Sequence, residues 1–175
     1  MGKRSNFVRR ERDFYSTPIE AVKPLIPHLP SVFVYAEPCA GDGKLAKNIE
    51  ILSNSNATPS ILSDIEPQDP SFVTTDALDL IVPQSTELIL TNPPWDRKIL
   101  HPMIEHFTNQ RPTWLLFDAD WMHTKQSAEY MKYCHKVVSV GRIKWIEGSK
   151  SSGKDNCAWY LFDKEKKDTI FVGRY

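Results

Sequence analysis

The 175-residue chain carries 22 basic and 22 acidic side chains, a formal net charge of zero, with 41% hydrophobic and 25% charged residues. That balance and length suit one globular domain with a sizeable core and argue against a strongly basic, nonspecific nucleic-acid binder. No apolar run approaches the ~18 residues of a membrane span, and the opening MGKRSNFVRRERDF lacks the apolar stretch of a secretory leader, so a cytoplasmic protein is expected.

Residues 1–13 read as a basic N-terminal arm bearing Lys3, Arg4, Arg9, Arg10 and Arg12, with one domain over 14–175. Ser16 or Thr17 can cap a short helix beginning at Pro18, because proline suits the first helical turn. Val32–Ala36 is the first strand and runs directly into Glu37-Pro38-Cys39-Ala40-Gly41-Asp42-Gly43, followed by a helix over Lys44–Leu52. Glycines there let a strand turn sharply into a helix and let a ligand approach the backbone. The third glycine of a dinucleotide fingerprint is missing, and a carboxylate beside the turn repels pyrophosphate. Both features favour a ligand with an ammonium and no phosphate, such as S-adenosylmethionine (SAM). The alternative is an ordinary glycine turn.

Ser60–Ser63 is a second strand ending at Asp64, where an acid can accept hydrogen bonds from two ribose hydroxyls; the alternative is a solvated turn acid. Phe72–Thr74 is a third strand, followed by Asp76, which can accept from an adenine amino group or cap a helix. Ile65 and Ala77 follow these two strands and join the candidate cofactor residues.

Glu87–Thr91 is a fourth strand, ending in Asn92-Pro93-Pro94-Trp95, the most specific signal in the chain. Two prolines fix φ at successive positions and hold one side-chain amide and one carbonyl in set directions. Asn92 Oδ1 and the Pro93 carbonyl can both accept from a single NH₂ group, while Trp95 can stack on the ring that bears it. An aromatic amine gives its lone pair to its ring and is a poor nucleophile. Two acceptors draw it toward tetrahedral geometry and stabilise the charge that grows on nitrogen.

A helix around Ile99–Phe107 follows, then a fifth strand, Trp114–Phe117. After it comes Asp118-Ala119-Asp120-Trp121-Met122-His123, in which Trp121 and Met122 read as core and His123 as a hydrogen-bonding group. Lys136–Val140 and Ala158–Phe162 are the sixth and seventh strands. No helical pattern separates them, so they pair antiparallel across a long loop, 141–156. That loop offers Arg142, Lys144 and Trp145 as substrate-binding residues, the alternative being a solvated basic loop. Cys39, Cys134 and Cys157 are odd in number and form no C-x-x-C pair, which argues against a disulfide framework or a zinc site, and no metal-ligand spacing occurs elsewhere. Strands alternating with helices, with polar motifs at strand ends, define an α/β fold with a mainly parallel sheet.

With these motifs in place, the chain resembles the class I SAM-dependent methyltransferases, in particular amino-methyltransferases with an N-P-P-aromatic motif such as the small adenine-N6 enzymes of bacteriophages. The resemblance runs from Asp13 to about Phe162. It implies a Rossmann-like fold with a seven-stranded, mainly parallel sheet, one antiparallel strand and flanking helices. It places SAM at Glu37, Cys39, Ala40, Gly41, Gly43 and Asp64, and identifies Phe14–Pro18 with the family's N-terminal cofactor element, contributing Tyr15 and Thr17. It implies Asn92, Pro93, Pro94 and Trp95 as the catalytic segment and nucleic acid as the partner, DNA before RNA. Related enzymes methylate RNA adenine or protein glutamine, and a SAM-binding partner subunit without turnover is the non-enzymatic alternative.

Overall fold

The hydrophobic strands at the centre of the chain are covered on both faces, as parallel strands fed by helical crossovers must be. The computed structural model describes residues 15–146, 153–166 and 168–174. The basic arm 1–13, together with Gly148 and Lys150 of the long loop, lies outside them. Among the described residues, eight strands form one sheet: β1 (Phe33–Glu37), β2 (Ala57–Asp64), β3 (Val73–Thr74), β4 (Leu88–Thr91), β5 (Thr113–Asp118), β6 (Cys134–Arg142), β7 (Asn156–Phe162) and β8 (Ile170–Val172). Their order is β3-β2-β1-β4-β5-β7-β6-β8. β7 alone runs against the rest, pairing antiparallel with both β5 and β6, as expected for the last hairpin.

Period-two alternation sorts side chains between the two faces. Leu88, Leu90, Trp114, Leu116, Val138 and Trp159 pack on one face with α1 (Ile19–Val22) and α2 (Lys44–Leu52). Leu115, Phe117, Val137, Tyr160 and Phe162 face the other way, where Leu100 and Ile104 of α3 (Arg97–Thr108) cover them. Phe117 stacks on Tyr160 with ring centroids 4.2 Å apart, and Trp121 meets Phe117 edge-on at 5.0 Å. Trp121 is therefore core, as read from the sequence. The indole N–H of fully buried Trp159 donates to the Ala21 carbonyl at 2.7 Å and ties α1 to the sheet.

Three expectations need correction. The sheet has eight strands rather than seven: β8 adds in parallel to β6, Lys136 opposite Ile170 and Val138 opposite Val172. The long loop is shorter than 141–156, because β6 continues to Arg142 and β7 begins at Asn156. Neither Ser16 nor Thr17 caps α1, whose N-cap is Pro18. Both hydroxyls have tertiary partners instead: Ser16 Oγ donates to Asp42, and Thr17 Oγ1 accepts from Asn92. Among the described residues no helix is long and apolar enough to cross a membrane.

Candidate functional site

Strand order changes direction between β1 and β4, and in open α/β sheets a crevice opens outside the carboxyl ends of two such strands. β1 ends there in Glu37 and β4 in Thr91, next to Asn92.

The turn after β1 is clamped on both sides. Gly41 has φ +53° and Gly43, the N-cap of α2, has φ +73°, a region where a side chain is strained. A Cβ on Gly43 would also lie 2.7 Å from Cζ of Phe72. Ala40 N–H donates to the Ser63 carbonyl at 2.8 Å, Gly41 N–H to Asp64 Oδ2 at 2.9 Å, and Gln68 N–H to the Gly41 carbonyl at 2.9 Å. Asp64 Oδ1 accepts from Glu66 N–H at 2.9 Å. Asp64 thus fixes the turn through one hydrogen bond to each carboxylate oxygen, and each oxygen has a further lone pair.

Glu37 is 1% exposed, and its Oε2 has no hydrogen-bond partner among the described residues. Burial, reinforced by the charges of Asp42 and Asp64, holds its carboxyl well above the usual carboxylate range, while the Ala46 N–H works the other way. An orphaned buried carboxylate oxygen beside two more acids is a receptor for a cation that brings its own N–H donors.

Asn92 is held at both ends of its amide. Nδ2 donates to Thr17 Oγ1 at 3.1 Å and to the Tyr15 carbonyl at 3.4 Å, and Trp95 Nε1 approaches Oδ1 at 3.4 Å. Trp95 Nε1 also donates to the Leu116 carbonyl of β5 at 3.2 Å, so the indole is anchored to the sheet. Its half-buried ring meets Trp145 edge-on, centroids 5.8 Å apart, and Trp145 in turn lies 6.3 Å from Tyr15.

A cleft of about 800 Å³ joins these groups. Tyr15 and Thr17 line it from the N-terminal segment, Glu37, Cys39, Ala40 and Gly41 from the turn, and Asp64, Ile65, Asp76 and Ala77 from the ends of β2 and β3. Asn92 and Pro94 complete the wall from the N-P-P-W segment. Gly43, Pro93 and Trp95 are not among the residues that line it. Asp76 Oδ1 accepts from Leu78 N–H at 2.8 Å, a capping turn that no helix follows. The sequence reading missed Gln68, Leu78 and the α3 residues Lys98, Ile99 and Met103, all on the cleft wall. The signal for the last three was available: Asp96 caps α3 by accepting from Lys98 N–H at 2.9 Å, which starts the helix immediately after the motif.

Arg142, Lys144 and Trp145 are not on this cleft but on a neighbouring hollow. His123 is exposed beyond the core residue Trp121. All three cysteines are free thiols; burial pushes Cys134 and Cys157 up to about 12, and Cys39 is likewise raised, which suits packing and not nucleophilic attack.

This architecture is the class I methyltransferase fold, mixed α/β with one reversed strand. The chain is similar to the methyltransferase subunit of a type I restriction-modification system from Streptococcus thermophilus, at TM-score 0.60 and 11% identity. The match covers 91% of this chain but 47% of the subunit, so the chain spans about half its length. It is similar to a candidate RNA methyltransferase from Pyrococcus horikoshii at TM-score 0.56 and 13% identity, over 96% of this chain and 95% of that one. The 23S rRNA methyltransferase ErmE matches at TM-score 0.52 and 12% identity, covering 85% of this chain and 68% of its own. No family model matches the chain, and no curated protein does.

Proposed function

We propose that the chain is a SAM-dependent methyltransferase acting on the exocyclic N6 amine of adenine in nucleic acid, DNA first. One observation carries the reading: a single cleft at the β1/β4 switch point holds an orphaned buried carboxylate, a ribose-type acid and a clamped asparagine amide. Glu37 fits the α-ammonium of SAM, Asp64 the ribose hydroxyls and Asp76 the adenine amino group, with the Gly41 turn giving close backbone approach. When bound, SAM supplies a sulfonium methyl, an electrophile. Asn92 Oδ1 and the Pro93 carbonyl accept the two N–H bonds of the target amine and turn its lone pair out of the ring. They then hold the charge that develops on nitrogen until a proton leaves to water. Thr17 and Tyr15 keep the Asn92 amide from rotating, so this orientation is prepaid.

RNA adenine is the second reading, favoured by the near end-to-end match to the Pyrococcus protein. An unpaired RNA base avoids the cost of extrusion from a duplex.

The test is methyl transfer from labelled SAM to DNA, RNA and protein pools, followed by nucleoside analysis for N6-methyladenine. Asn92→Ala is expected to keep SAM affinity while slowing transfer about 10²–10³-fold, the usual loss for one preorganised acceptor. Transfer at the wild-type rate in that variant would reduce the N-P-P-W segment to a structural turn.

A further inference from the structure

Residues 15–18 lie between two hollows. Tyr15 and Thr17 line the cleft described above, whereas Ser16 and Pro18 line a second hollow of about 1170 Å³. Period-two alternation gives one short segment a wall in each. The second hollow runs between α1 and α2 on one side and β6 and β8 on the other. It brings together Lys23, Lys44, Arg142, Lys144 and Arg174, and Glu20 is the only acid among its described lining residues. In a chain of zero net charge this is a concentrated basic surface.

Arg174 is placed there by the backbone of β6. The pairing of β6 with β7 slips between Ser139 and Gly141, and Gly141 takes φ +86°. A Cβ at Gly141 would sit 2.8 Å from Arg174 Nη1, so the guanidinium lies against a strand position with no side chain. At the other end, Trp145 lines the hollow and meets both Trp95 and Tyr15, the latter a wall of the cleft. These three rings therefore form an aromatic sill between the basic hollow and the cleft.

We propose that this hollow carries the phosphate backbone of a single-stranded polynucleotide, with its bases passing over Tyr15, Trp95 and Trp145 toward the cleft. The inference rests on the methyltransferase reading and specifies its substrate: an unpaired strand, gripped by phosphate contacts. Cations tracking a backbone beside aromatic rings are the physical requirements for holding single strands without base readout. A duplex would keep its bases stacked away from the sill.

The test uses the full chain with fluorescein-labelled oligothymidylate and oligouridylate, which contain no adenine and so report binding apart from methyl transfer. Anisotropy titrations across a salt series give the slope of log Kobs against log salt, about −0.7 per phosphate contact on a single strand. Five cations in contact give a slope of about −3.5, and Arg142→Gln/Arg174→Gln is expected to flatten it by about 1.4. Trp145→Ala is expected to lower affinity with the slope unchanged, a split that a folding defect would not produce. Lys125→Gln, an exposed cation outside the hollow, serves as a control that leaves both affinity and slope at their wild-type values. An unaltered slope in the double variant, equal affinity for a duplex of the same length, or displacement by polyglutamate at equal charge would each overturn the proposal. A normal slope in a protein that transfers no methyl group would leave the groove standing and remove the enzymatic reading. Transfer with an unaltered slope would do the reverse.

Discussion

Glu37 is the residue on which the cofactor reading turns, because a buried carboxylate with an orphaned oxygen disfavours the folded state unless a ligand meets it. Its carboxyl is raised by burial, so the folded protein holds this proton more tightly than the unfolded chain does. The resulting contribution to stability is full below the ordinary carboxylate value of about 4.3 and is lost as pH rises through the raised one. Glu37→Gln is therefore expected to raise the melting temperature of the ligand-free protein near neutral pH and to flatten its decline with pH. The same variant should bind SAM more weakly by calorimetry. A lower melting temperature together with undiminished SAM affinity would return Glu37 to a purely structural role at the start of α2. Asn92 illustrates the opposite arrangement. Its amide is satisfied from three directions, and only Trp95 among those partners belongs to the motif, since Tyr15 and Thr17 lie more than 70 positions away along the chain.

At the level of elements, the turn from β1 into α2 was the most legible part of the fold. Its glycines sit where the backbone needs positive φ, and α2 spans Lys44–Leu52 as read from the sequence. Gly43→Ala is expected to destabilise the protein by about 1–2 kcal/mol through the left-handed backbone alone, before Phe72 gives way. Chemical denaturation measures this, and an unchanged midpoint would mean that the turn adopts another conformation. β8 was illegible for a physical reason. It has three residues, and at the sheet edge Ile170 and Phe171 are 49% and 62% exposed, so no run of alternating burial marks it. The short helix α1 misled in another way. Ser16 and Thr17 have the chemistry of N-caps, but Asp42 and Asn92 compete for their hydroxyls and prevail through tertiary structure. The cleft was legible because each motif sits at a strand end and parallel strands end together. The basic hollow was legible only at Arg142, Lys144 and Trp145, because its other cations, Lys23 at the end of α1, Lys44 of α2 and Arg174 after β8, are brought there only by the folded sheet.

For the molecule as a whole, the two-faced segment at 15–18 makes two binding events share one set of backbone dihedrals. A ligand in the cleft would touch Tyr15 and Thr17 and a strand in the hollow would touch Ser16 and Pro18, so the two would share one stretch of backbone. If binding orders the segment further, the ligand that arrives first meets that cost and the second is spared it. The two affinities must then be linked by a single coupling free energy, identical when read from either side. Saturating SAM is expected to tighten oligothymidylate binding by some factor, typically ~5–150 for coupled sites, and the oligonucleotide should tighten SAM binding by the same factor. Titrations of each ligand with and without the other measure both. A factor of one would mean that the segment is already rigid. A factor well above one would give the proposed reaction an order of events, in which loss of the spent cofactor loosens the protein's hold on the strand and frees it to move on.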